Sequence, residues 1–470
     1  MPGELIITVS GLRGIVGENL TPQVAADYGR AFGSFLRSKF SDADKLTVCI
    51  GRDSRPSGQT LASAVTSGLT TAGIDVIDLG IVTTPTVGII VKHLACAGGV
   101  IITASHNPLP YNGIKLLLDN AMAPPPDVAG QIKICFEIRD FFSDDRLKPG
   151  RVSANSNADD IHLAKVLRIV DQKAIAKKQF KVVLDSVNGA GGRPGVKLLT
   201  ALGCKIIPMN TEPTGLFAHT PEPTAENLTS LCDAVKKAHA DIGFAQDPDA
   251  DRLAIVDETG TYIGEEYTLA LAAKLIFSRQ TGSACGERPV VSEVELSRTA
   301  AANLSTSRMI DDIAKAAGGR VIRTPVGEAN VASAMIKNNC IIGGEGNGGV
   351  IDLRIGPIRD SLVAMAFTLQ LLAQTGKTVS QLVSEIPRYS MTKYKFPADK
   401  AKVKLILDAV KKLFPDAKVD SADGFRFDFP DAWIHIRSSN TEPIVRVIAE
   451  AKDKLAAAKY IDAVLKIAKN

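Results

Sequence analysis

Short apolar runs rich in β-branched residues alternate with Ala- and Leu-rich stretches of helical length up to about residue 375. This alternation is typical of α/β units built on parallel strands. The predicted strands form three groups: Leu46–Ile50, Ile74–Leu79 and Gly99–Thr103; Phe180–Asp185, Cys204–Ile207 and Asp241–Ala245; and Leu253–Asp257, Pro289–Ser292, Arg320–Arg323 and Cys340–Gly343. A helix is predicted at Ser57–Ala72, between the first two strands. The pattern therefore predicts three successive α/β segments.

Beyond residue 375 the pattern changes to Lys-rich helical runs that enclose strand-like runs. The predicted elements there are helices at Lys400–Leu413 and Lys452–Lys469 and strands at Gly424–Phe429, Trp433–Ile436 and Ile444–Ile448. This texture predicts a separate α+β domain with an antiparallel sheet. The segments Ala123–Pro126 and Asp140–Asn157 are interpreted as polar connectors.

The expected fold is therefore α/β, with three tandem mixed α/β domains followed by a smaller α+β C-terminal domain around a central cleft. The expected boundaries are 1–155, 156–254, 255–374 and 375–470. A chain of 470 residues is long enough for several domains of ordinary size.

Composition narrows the classes of partner. The net charge is only +4, and Lys and Arg are scattered, which argues against nucleic acid as a partner. We find no apolar run of membrane-spanning length and no signal-peptide pattern in residues 1–10, so we expect no membrane partner. The seven cysteines lack a C-x-x-C spacing, which favours reduced thiols in a cytoplasmic protein.

The most informative motif is Asp-Pro-Asp-Ala-Asp at 247–251, followed by Arg252. Three carboxylates in a short segment repel one another unless a cation lies between them, and Mg²⁺ prefers oxygen ligands of this kind. The apolar run Asp241–Ala245 places the motif at the carboxyl end of a strand, where open α/β sheets bind ligands. The alternative is a solvated Asp-rich turn.

A second candidate site is Thr-Ala-Ser-His-Asn-Pro at 103–108, directly after an apolar run. Ser105 could be a nucleophile or a phosphorylated residue, or it could be a turn or N-cap residue. His106 could act as a base, although we expect a neighbouring side chain to reach the same hydroxyl poorly. Lys115 follows on a predicted strand and could transfer protons if its pKa is depressed, or it could be a surface lysine.

Two further loops carry polar groups suited to a sugar phosphate. The loop Gly343–Gly349 allows close approach to a ligand and contains Glu345 and Asn347, which suit sugar hydroxyls, but it matches no nucleotide-binding motif. The loop Arg437–Pro443 combines a forked cation with hydroxyl and amide groups, as a phosphate site would. Arg13, Arg52 and Arg55 are further cations, of which the last two could instead pair with Asp53.

Taken in order, the motifs T-A-S-H-N-P, D-x-D-x-D-R and R-x-S-x-T-E-P resemble those of the α-D-phosphohexomutase family over nearly the whole chain. The resemblance implies a mutase that interconverts hexose 6-phosphates and 1-phosphates through a phosphoserine and a hexose 1,6-bisphosphate. It implies one Mg²⁺ per chain, held by the three aspartates and the phosphorylated Ser105. The other implied residues are Arg13, Lys115 and Arg252 at the reacting phosphate; Glu345, Asn347 and Gly348 at the sugar; and Arg437, Ser439, Asn440 and Thr441 at the second phosphate.

One loop departs from the family pattern. The sugar loop of the family commonly reads G-E-x-S-G-H, whereas here Asn347 replaces the Ser and Gly349 replaces the His. Glucosamine phosphate is the preferred expectation, with mannose phosphate and glucose phosphate open, and the segment Thr324–Glu328 is a second possible determinant of specificity. A metal-dependent phosphatase and a non-catalytic sugar-phosphate sensor are the alternatives from other classes. The expected state is a monomer or homodimer whose partners are small sugar phosphates.

Overall fold

The computed structural model describes residues 5–144, 148–281, 297–397, 400–438 and 444–469. The strand predicted at Pro289–Ser292 lies outside these residues. Within them, no helix combines the length and apolar character needed to cross a membrane.

The first domain is a seven-stranded sheet with helices packed against it. Its elements are β1 (Ile6–Thr8), β2 (Gly11–Ile15), α1 (Pro22–Lys39), β3 (Thr47–Arg52), α2 (Gly58–Thr71), β4 (Asp75–Ile81), α3 (Thr84–His93), β5 (Gly98–Ile102), β6 (Tyr111–Leu118), α4 (Pro126–Ile138) and β7 (Val152–Ala154). The strand order is β1-β2-β6-β5-β3-β4-β7. Helix α3 begins where Thr83 accepts a hydrogen bond from the Thr86 amide and Pro85 lies in the first turn, as a capped N-terminus requires.

The second and third domains each contain a four-stranded sheet. The second has α5 (Ala158–Arg168), α6 (Gln172–Lys178), β8 (Lys181–Asp185), α7 (Gly192–Ala201), β9 (Lys205–Met209), α8 (Thr229–Ala238), β10 (Ile242–Gln246) and β11 (Leu253–Val256). The third has α9 (Glu266–Thr281), β12 (Ser297–Asn303), α10 (Met309–Ala316), β13 (Arg320–Thr324), α11 (Glu328–Lys337), β14 (Cys340–Glu345), β15 (Gly349–Asp352), α12 (Ser361–Thr375) and α13 (Val379–Ser384).

The C-terminal domain has an antiparallel five-stranded sheet, as the sequence pattern predicts. Its elements are β16 (Ser390–Pro397), α14 (Lys400–Leu413), β17 (Lys418–Asp420), β18 (Phe425–Asp428), β19 (Ala432–Ser438), β20 (Ile444–Ala451) and α15 (Lys454–Lys469). The strand order is β16-β20-β19-β18-β17.

A common strand arrangement recurs in the first three domains. Three parallel strands are followed by one antiparallel strand, in the orders β6-β5-β3-β4, β11-β10-β8-β9 and β15-β14-β12-β13. The connections into the antiparallel strands are residues 103–110, 247–252 and 346–348. The serine, acidic and glycine-rich motifs therefore occupy equivalent hairpins at the carboxyl ends of parallel strands, where α/β sheets bind ligands.

The structure corrects several sequence-based assignments. Leu253–Asp257 was expected to open the third domain, but β11 pairs antiparallel with β10 and completes the second sheet. Strand β7 lies inside the predicted connector Asp140–Asn157, and β12, β15 and β16 were not predicted. Strand β12 is Ala-rich and β16 carries alternating Lys residues on a sheet edge, so neither has the β-branched apolar pattern that identifies a strand.

Helix α12 joins the second and third domains. Every residue of Ser361–Leu372 is buried, and a helix that is apolar all round belongs in a core. The hydrophobic core around it contains residues of both domains, among them Leu184, Phe244, Leu275 and Phe367. The acidic and glycine-rich loops thus project from two sheets that share one core.

Candidate active site

A buried cation, the guanidinium of Arg55, holds the backbone of the serine loop. The Arg55 side chain is fully buried and its Nε lies 3.0 Å from Asp53 Oδ2. Its Nη2 donates to the carbonyl oxygens of Ser105 and Asn107, at 2.6 Å each. Arg55 therefore has the structural role that the sequence left open, and it fixes the backbone on both sides of His106. Arg52 donates to Gln59 and is likewise engaged locally.

Ser105 is buried and its hydroxyl faces the acidic loop. Its φ of +50° lies in the left-handed region, which is uncommon for a non-glycine residue and is often associated with functional sites. Its Oγ donates to Asp247 Oδ2 at 2.9 Å. The structure thus brings together two motifs that are 142 residues apart in the chain.

His106 reaches the serine hydroxyl, contrary to the sequence-based expectation. Its Nδ1 lies 3.3 Å from Ser105 Oγ, because the bend at Ser105 turns both side chains to the same side. Burial, together with the nearby charges of Arg252 and Arg13, lowers the pKa of His106 to about 2. The imidazole is therefore neutral at physiological pH.

The three aspartates of the acidic loop are buried and form one cluster. One oxygen from each of Asp247, Asp249 and Asp251 lies within 4.8 Å of the others. Asp249 Oδ2 accepts from Lys115 Nζ at 2.8 Å and from the Thr84 hydroxyl at 2.7 Å. The solvated-turn alternative is wrong, since all three side chains are buried.

The cluster fits a divalent cation. Asp249 Oδ1 and Asp251 Oδ1 are buried and have no hydrogen-bond partner among the described residues, which is costly for carboxylate oxygens unless a ligand reaches them. Burial and the charges of Asp251 and Asp249 raise the pKa of Asp247 well above its usual range. Hard oxygen ligands in this number suit Mg²⁺.

Lys115 lies on β6 against this cluster, and its pKa is not depressed. Burial alone would lower the pKa of its ammonium, but the carboxylates of Asp249 and Asp251 outweigh burial and raise it. The condition under which the sequence predicts proton transfer by Lys115 is therefore not met by these neighbouring charges. Lys115 is instead a partly buried cation that also lowers the pKa of Asp249 against the effect of burial.

Arg13 and Arg252 complete the positive side of the site. Arg13 lies on β2 beside β6, and its Nη1 donates to Asn107 Oδ1 at 3.2 Å, at the serine loop. The Arg252 amide donates to Asp247 Oδ1 at 3.1 Å. Its Nε has no hydrogen-bond partner among the described residues and lies 3.8 Å from Asp251 Oδ1, so it can still donate a hydrogen bond to an anionic ligand.

The glycine-rich loop lies directly beside the acidic loop. The Leu253 amide donates to the Gly348 carbonyl at 3.0 Å, and Gly348 has φ +86° with no room for a Cβ, which would lie 2.4 Å from Leu253 O. Asn347 Oδ1 is buried without a partner among the described residues. Asn347 therefore has a free acceptor for a sugar hydroxyl.

More of the acceptor positions of the Glu345 carboxylate are occupied by protein donors than the sequence indicates. Its Oε2 accepts from Arg359 at 2.6 Å, and its Oε1 accepts from Asn303 Nδ2 at 2.8 Å and from the Gly327 amide at 3.1 Å. A carboxylate offers about four acceptor positions, so roughly one remains for a ligand. Arg359 and Asn303 outweigh burial and lower the pKa of Glu345, which keeps it ionised.

The predicted second phosphate site is only partly described. Arg437 lies near the end of β19, and its Nε donates to Asp423 Oδ2 at 2.9 Å. The same oxygen accepts from the Val326 amide of the third domain at 3.0 Å. Ser439, Asn440 and Thr441 lie outside the described residues.

Three residues of the site had no sequence signal. Thr84 bonds Asp249 across 165 residues of chain, and Arg359 bonds Asp251 across 108. Glu328 accepts from Arg359 Nε at 3.0 Å. None belongs to a recognisable spacing, although Glu328 lies in the segment proposed as a second determinant of specificity.

Models of one protein family match the chain between residues 5 and 467. Family models for phosphoglucomutase/phosphomannomutase match in order: α/β/α domain I at residues 5–141, domain II at 160–260, domain III at 266–389 and the C-terminal domain at 394–467. The serine, acidic and glycine-rich loops fall in domains I, II and III.

Full-length relatives agree with this assignment. The chain is 38% identical to a phosphoglucomutase/phosphomannomutase of Thermococcus kodakarensis, covering 97% of each chain. It is 35% identical to a probable phosphoglucosamine mutase of Methanopyrus kandleri, over 96% of this chain and 95% of the relative. A crystal structure of a phosphoglucomutase/phosphomannomutase family protein from Burkholderia thailandensis superposes with a TM-score of 0.84 at 29% identity, covering 100% and 98% of the two chains.

Four matching domains in order, relatives similar over their full length and a buried aspartate cluster beside a serine loop lead to one conclusion. The chain belongs to the α-D-phosphohexomutase family and is a phosphohexomutase, an isomerase that transfers a phosphoryl group within a hexose phosphate.

Proposed function

We propose that this mutase interconverts hexose 6-phosphate and hexose 1-phosphate through a phosphorylated Ser105 and a hexose 1,6-bisphosphate. The observation that carries the proposal is the 2.9 Å hydrogen bond from Ser105 Oγ to Asp247, the first aspartate of the cluster. It places the oxygen that would carry the phosphoryl group beside three carboxylates suited to a cation.

In this proposal Asp247, Asp249 and Asp251 hold one Mg²⁺ per chain, together with an oxygen of the phosphorylated Ser105. Bound there, Mg²⁺ would offset the negative charge of the transferring phosphoryl group. The ammonium of Lys115 and the guanidinium groups of Arg13 and Arg252 supply fixed positive charge around the same point.

The reaction is balanced over two transfers. The free hydroxyl of the sugar attacks phosphorus, the bond from phosphorus to Ser105 Oγ breaks, and the proton lost by the hydroxyl balances the one gained by the serine. After the bisphosphate reorients, Ser105 Oγ attacks the other phosphate and the bond from that phosphorus to the sugar oxygen breaks. The proton lost by Ser105 balances the one gained by the sugar oxygen, and the monophosphate product leaves. We assign His106, whose Nδ1 lies 3.3 Å from Oγ, a positioning role at the serine, because a pKa of about 2 makes its imidazole a poor proton acceptor at neutral pH.

A sugar that binds in two orientations requires a hydroxyl-binding loop and a second phosphate site. We assign the first role to Glu345, Asn347 and Gly348, and the second to Arg437 with Ser439, Asn440 and Thr441. The free acceptor of Asn347 and the remaining acceptor position of Glu345 support the sugar role.

For the substrate we propose glucosamine phosphate, with mannose phosphate and glucose phosphate as the alternatives. The name of the Methanopyrus relative favours the first and that of the Thermococcus relative the others. A coupled assay with the three hexose 6-phosphates and catalytic hexose 1,6-bisphosphate tests this. We expect the highest kcat/KM with glucosamine 6-phosphate. A higher kcat/KM with one of the other two hexose 6-phosphates would make that sugar the proposed substrate instead.

The same assay separates the phosphatase alternative. A mutase retains phosphate on the sugar, so inorganic phosphate should stay far below isomerised product. Stoichiometric phosphate release without isomerisation would contradict the proposed mechanism.

The described cysteines are free thiols, which supports a cytoplasmic location. Size-exclusion chromatography with light scattering would distinguish monomer from homodimer.

A further inference from the structure

Arg359 connects the acidic loop with the glycine-rich loop. Its Nη2 lies 2.5 Å from Asp251 Oδ2, and its Nη1 lies 2.6 Å from Glu345 Oε2. Its Nε lies 3.0 Å from Glu328 Oε2, at the start of α11. The side chain is only 11% exposed, so these pairs form largely out of water, where charge interactions are strong.

The position of Arg359 depends on the glycine at 349. A Cβ at this position would lie 2.2 Å from Arg359 Cδ and 2.9 Å from its Cγ. Any side chain at 349 would therefore displace the arginine from its place against β15. The family pattern commonly has histidine at this position, so the glycine found here makes room for the side chain of Arg359.

We propose that Arg359 is a positioning residue that holds the metal ligand Asp251 and the sugar-loop residue Glu345 in one fixed geometry. It donates to Asp251 Oδ2 and leaves Oδ1 for a cation, since Oδ1 has no hydrogen-bond partner among the described residues and lies 3.8 Å from Arg252 Nε. It donates to Glu345 Oε2, while Asn303 Nδ2 and the Gly327 amide donate to Oε1. The inference rests on the proposed function for both the metal at Asp251 and the sugar at Glu345.

The planar fork of arginine is essential to this role. Three carboxylates contact three different nitrogens of one guanidinium, and a lysine ammonium keeps the charge but cannot match that geometry. Loss of the fork would leave Asp251 and Glu345 free to move apart through mutual repulsion. Metal affinity and sugar affinity would then fall together.

The test uses Arg359→Lys with Arg354→Lys as a matched control. Arg354 lies in the same connection between β15 and α12 and pairs with Asp352 at 2.5 Å, and its hydrogen bonds within the described residues go to Asp352 and to no residue of the site. Mn²⁺ affinity, measured by calorimetry without substrate, and KM for the hexose phosphate are the two readouts. We expect Arg359→Lys to weaken both by about tenfold or more, and Arg354→Lys to change each by less than about twofold.

A second variant acts from a distance. Gly349→Ala should weaken Mn²⁺ binding because its Cβ displaces Arg359, although residue 349 is not a metal ligand. When Gly349→Ala is added to Arg359→Lys, Mn²⁺ affinity should fall little further. Unchanged Mn²⁺ affinity in a folded Arg359→Lys protein, or a change in only one readout, would overturn the proposal. Because Mn²⁺ binding needs no turnover, it remains interpretable even if the protein isomerises none of the three hexose phosphates, which would refute the proposed function instead.

Discussion

Ser105 is positioned by a residue that does not itself take part in the chemistry. The buried Arg55 fixes the carbonyl groups on either side of His106, and the left-handed backbone at Ser105 directs its hydroxyl to Asp247. A serine in an ordinary exposed turn would have neither constraint. The loop is therefore built to hold one hydroxyl against the aspartate cluster.

We expect Ser105→Ala to abolish nearly all turnover, because no oxygen remains to carry the phosphoryl group. Stability should fall by only about 1 kcal/mol, the usual worth of one hydrogen bond. Intact-mass analysis should show an added phosphate on the wild type and on the exposed helix variant Ser63→Ala, but none on Ser105→Ala. Turnover within tenfold of wild type would exclude Ser105 as the phosphoryl carrier.

We expect Asp249→Asn to weaken Mg²⁺ binding and to slow turnover by at least about a hundredfold, since a charged ligand is lost at a phosphoryl-transfer site. The exposed Asp233→Asn is the control for a change of charge alone. Titration calorimetry with Mg²⁺ measures affinity, and EDTA should inactivate the wild type reversibly. If chelation leaves activity unchanged, the aspartate cluster has no catalytic metal.

At the scale of elements, the segment 211–227 between β9 and α8 covers the serine loop. The Phe217 ring lies 4.9 Å from the Arg55 guanidinium carbon, and Glu222 Oε1 lies 3.9 Å from His106 Nε2. The segment is attached to its own sheet by His219, whose Nε2 lies 3.1 Å from Asp185 Oδ2. A titratable pair thus helps to hold the segment that covers the serine loop, together with hydrogen bonds of Asn188 to Glu212 and Gly215.

This pair predicts a pH dependence of stability. Burial lowers the pKa of His219, but the Asp185 carboxylate outweighs burial and raises it above the unfolded value. A raised folded-state pKa stabilises the protein fully below the unfolded pKa, and the contribution is lost as pH rises through the folded value. The melting temperature of wild type should exceed that of His219→Asn at pH 5.5 by more than at pH 9.

The exposed variant His239→Asn controls for a histidine change in the same domain. It changes a histidine outside the pair with Asp185, so a pH effect specific to His219→Asn belongs to that pair. A difference between wild type and His219→Asn that does not depend on pH would show that the imidazole is neutral in the pair.

At the scale of the whole molecule, the C-terminal domain has its own hydrophobic core and contacts the third domain through polar groups. Arg308 donates to the carbonyls of Phe429 and Ala432, and Ser305 Oγ lies 2.9 Å from His435 Nδ1. Polar interfaces of this kind permit relative movement of domains. We therefore expect the domain that carries Arg437 to move relative to the third domain.

We expect Arg437→Ala to raise KM for the sugar phosphate by about ten- to a hundredfold, because each charge-assisted hydrogen bond contributes about 1.5–3 kcal/mol and about 1.4 kcal/mol is tenfold. The value of kcat should also fall if binding energy drives closure. Arg437→Lys should recover part of the loss, since it keeps charge without the fork. The remote Lys412→Ala is the control, and an unchanged KM in a heat-stable Arg437→Ala protein would remove the second phosphate site.

The sequence by itself determined the three α/β segments, the antiparallel C-terminal sheet and the position of each motif at the end of an apolar run. These features are local: hydrophobic period, Pro and Gly positions and the chemistry of short motifs are properties of neighbouring residues. Asp247, Asp249 and Asp251 could be grouped as metal ligands because they lie within one loop. The order of motifs then indicated the family.

Only the tertiary structure decided which distant segments meet. It placed β11 in the second sheet, brought Thr84 to Asp249, and put Arg359 between Asp251 and Glu345. It also turned His106 towards Ser105 and raised the pKa of Lys115. Pairing, burial and the field of neighbouring charges arise from packing between segments, some of them more than 100 residues apart, and no local pattern encodes them.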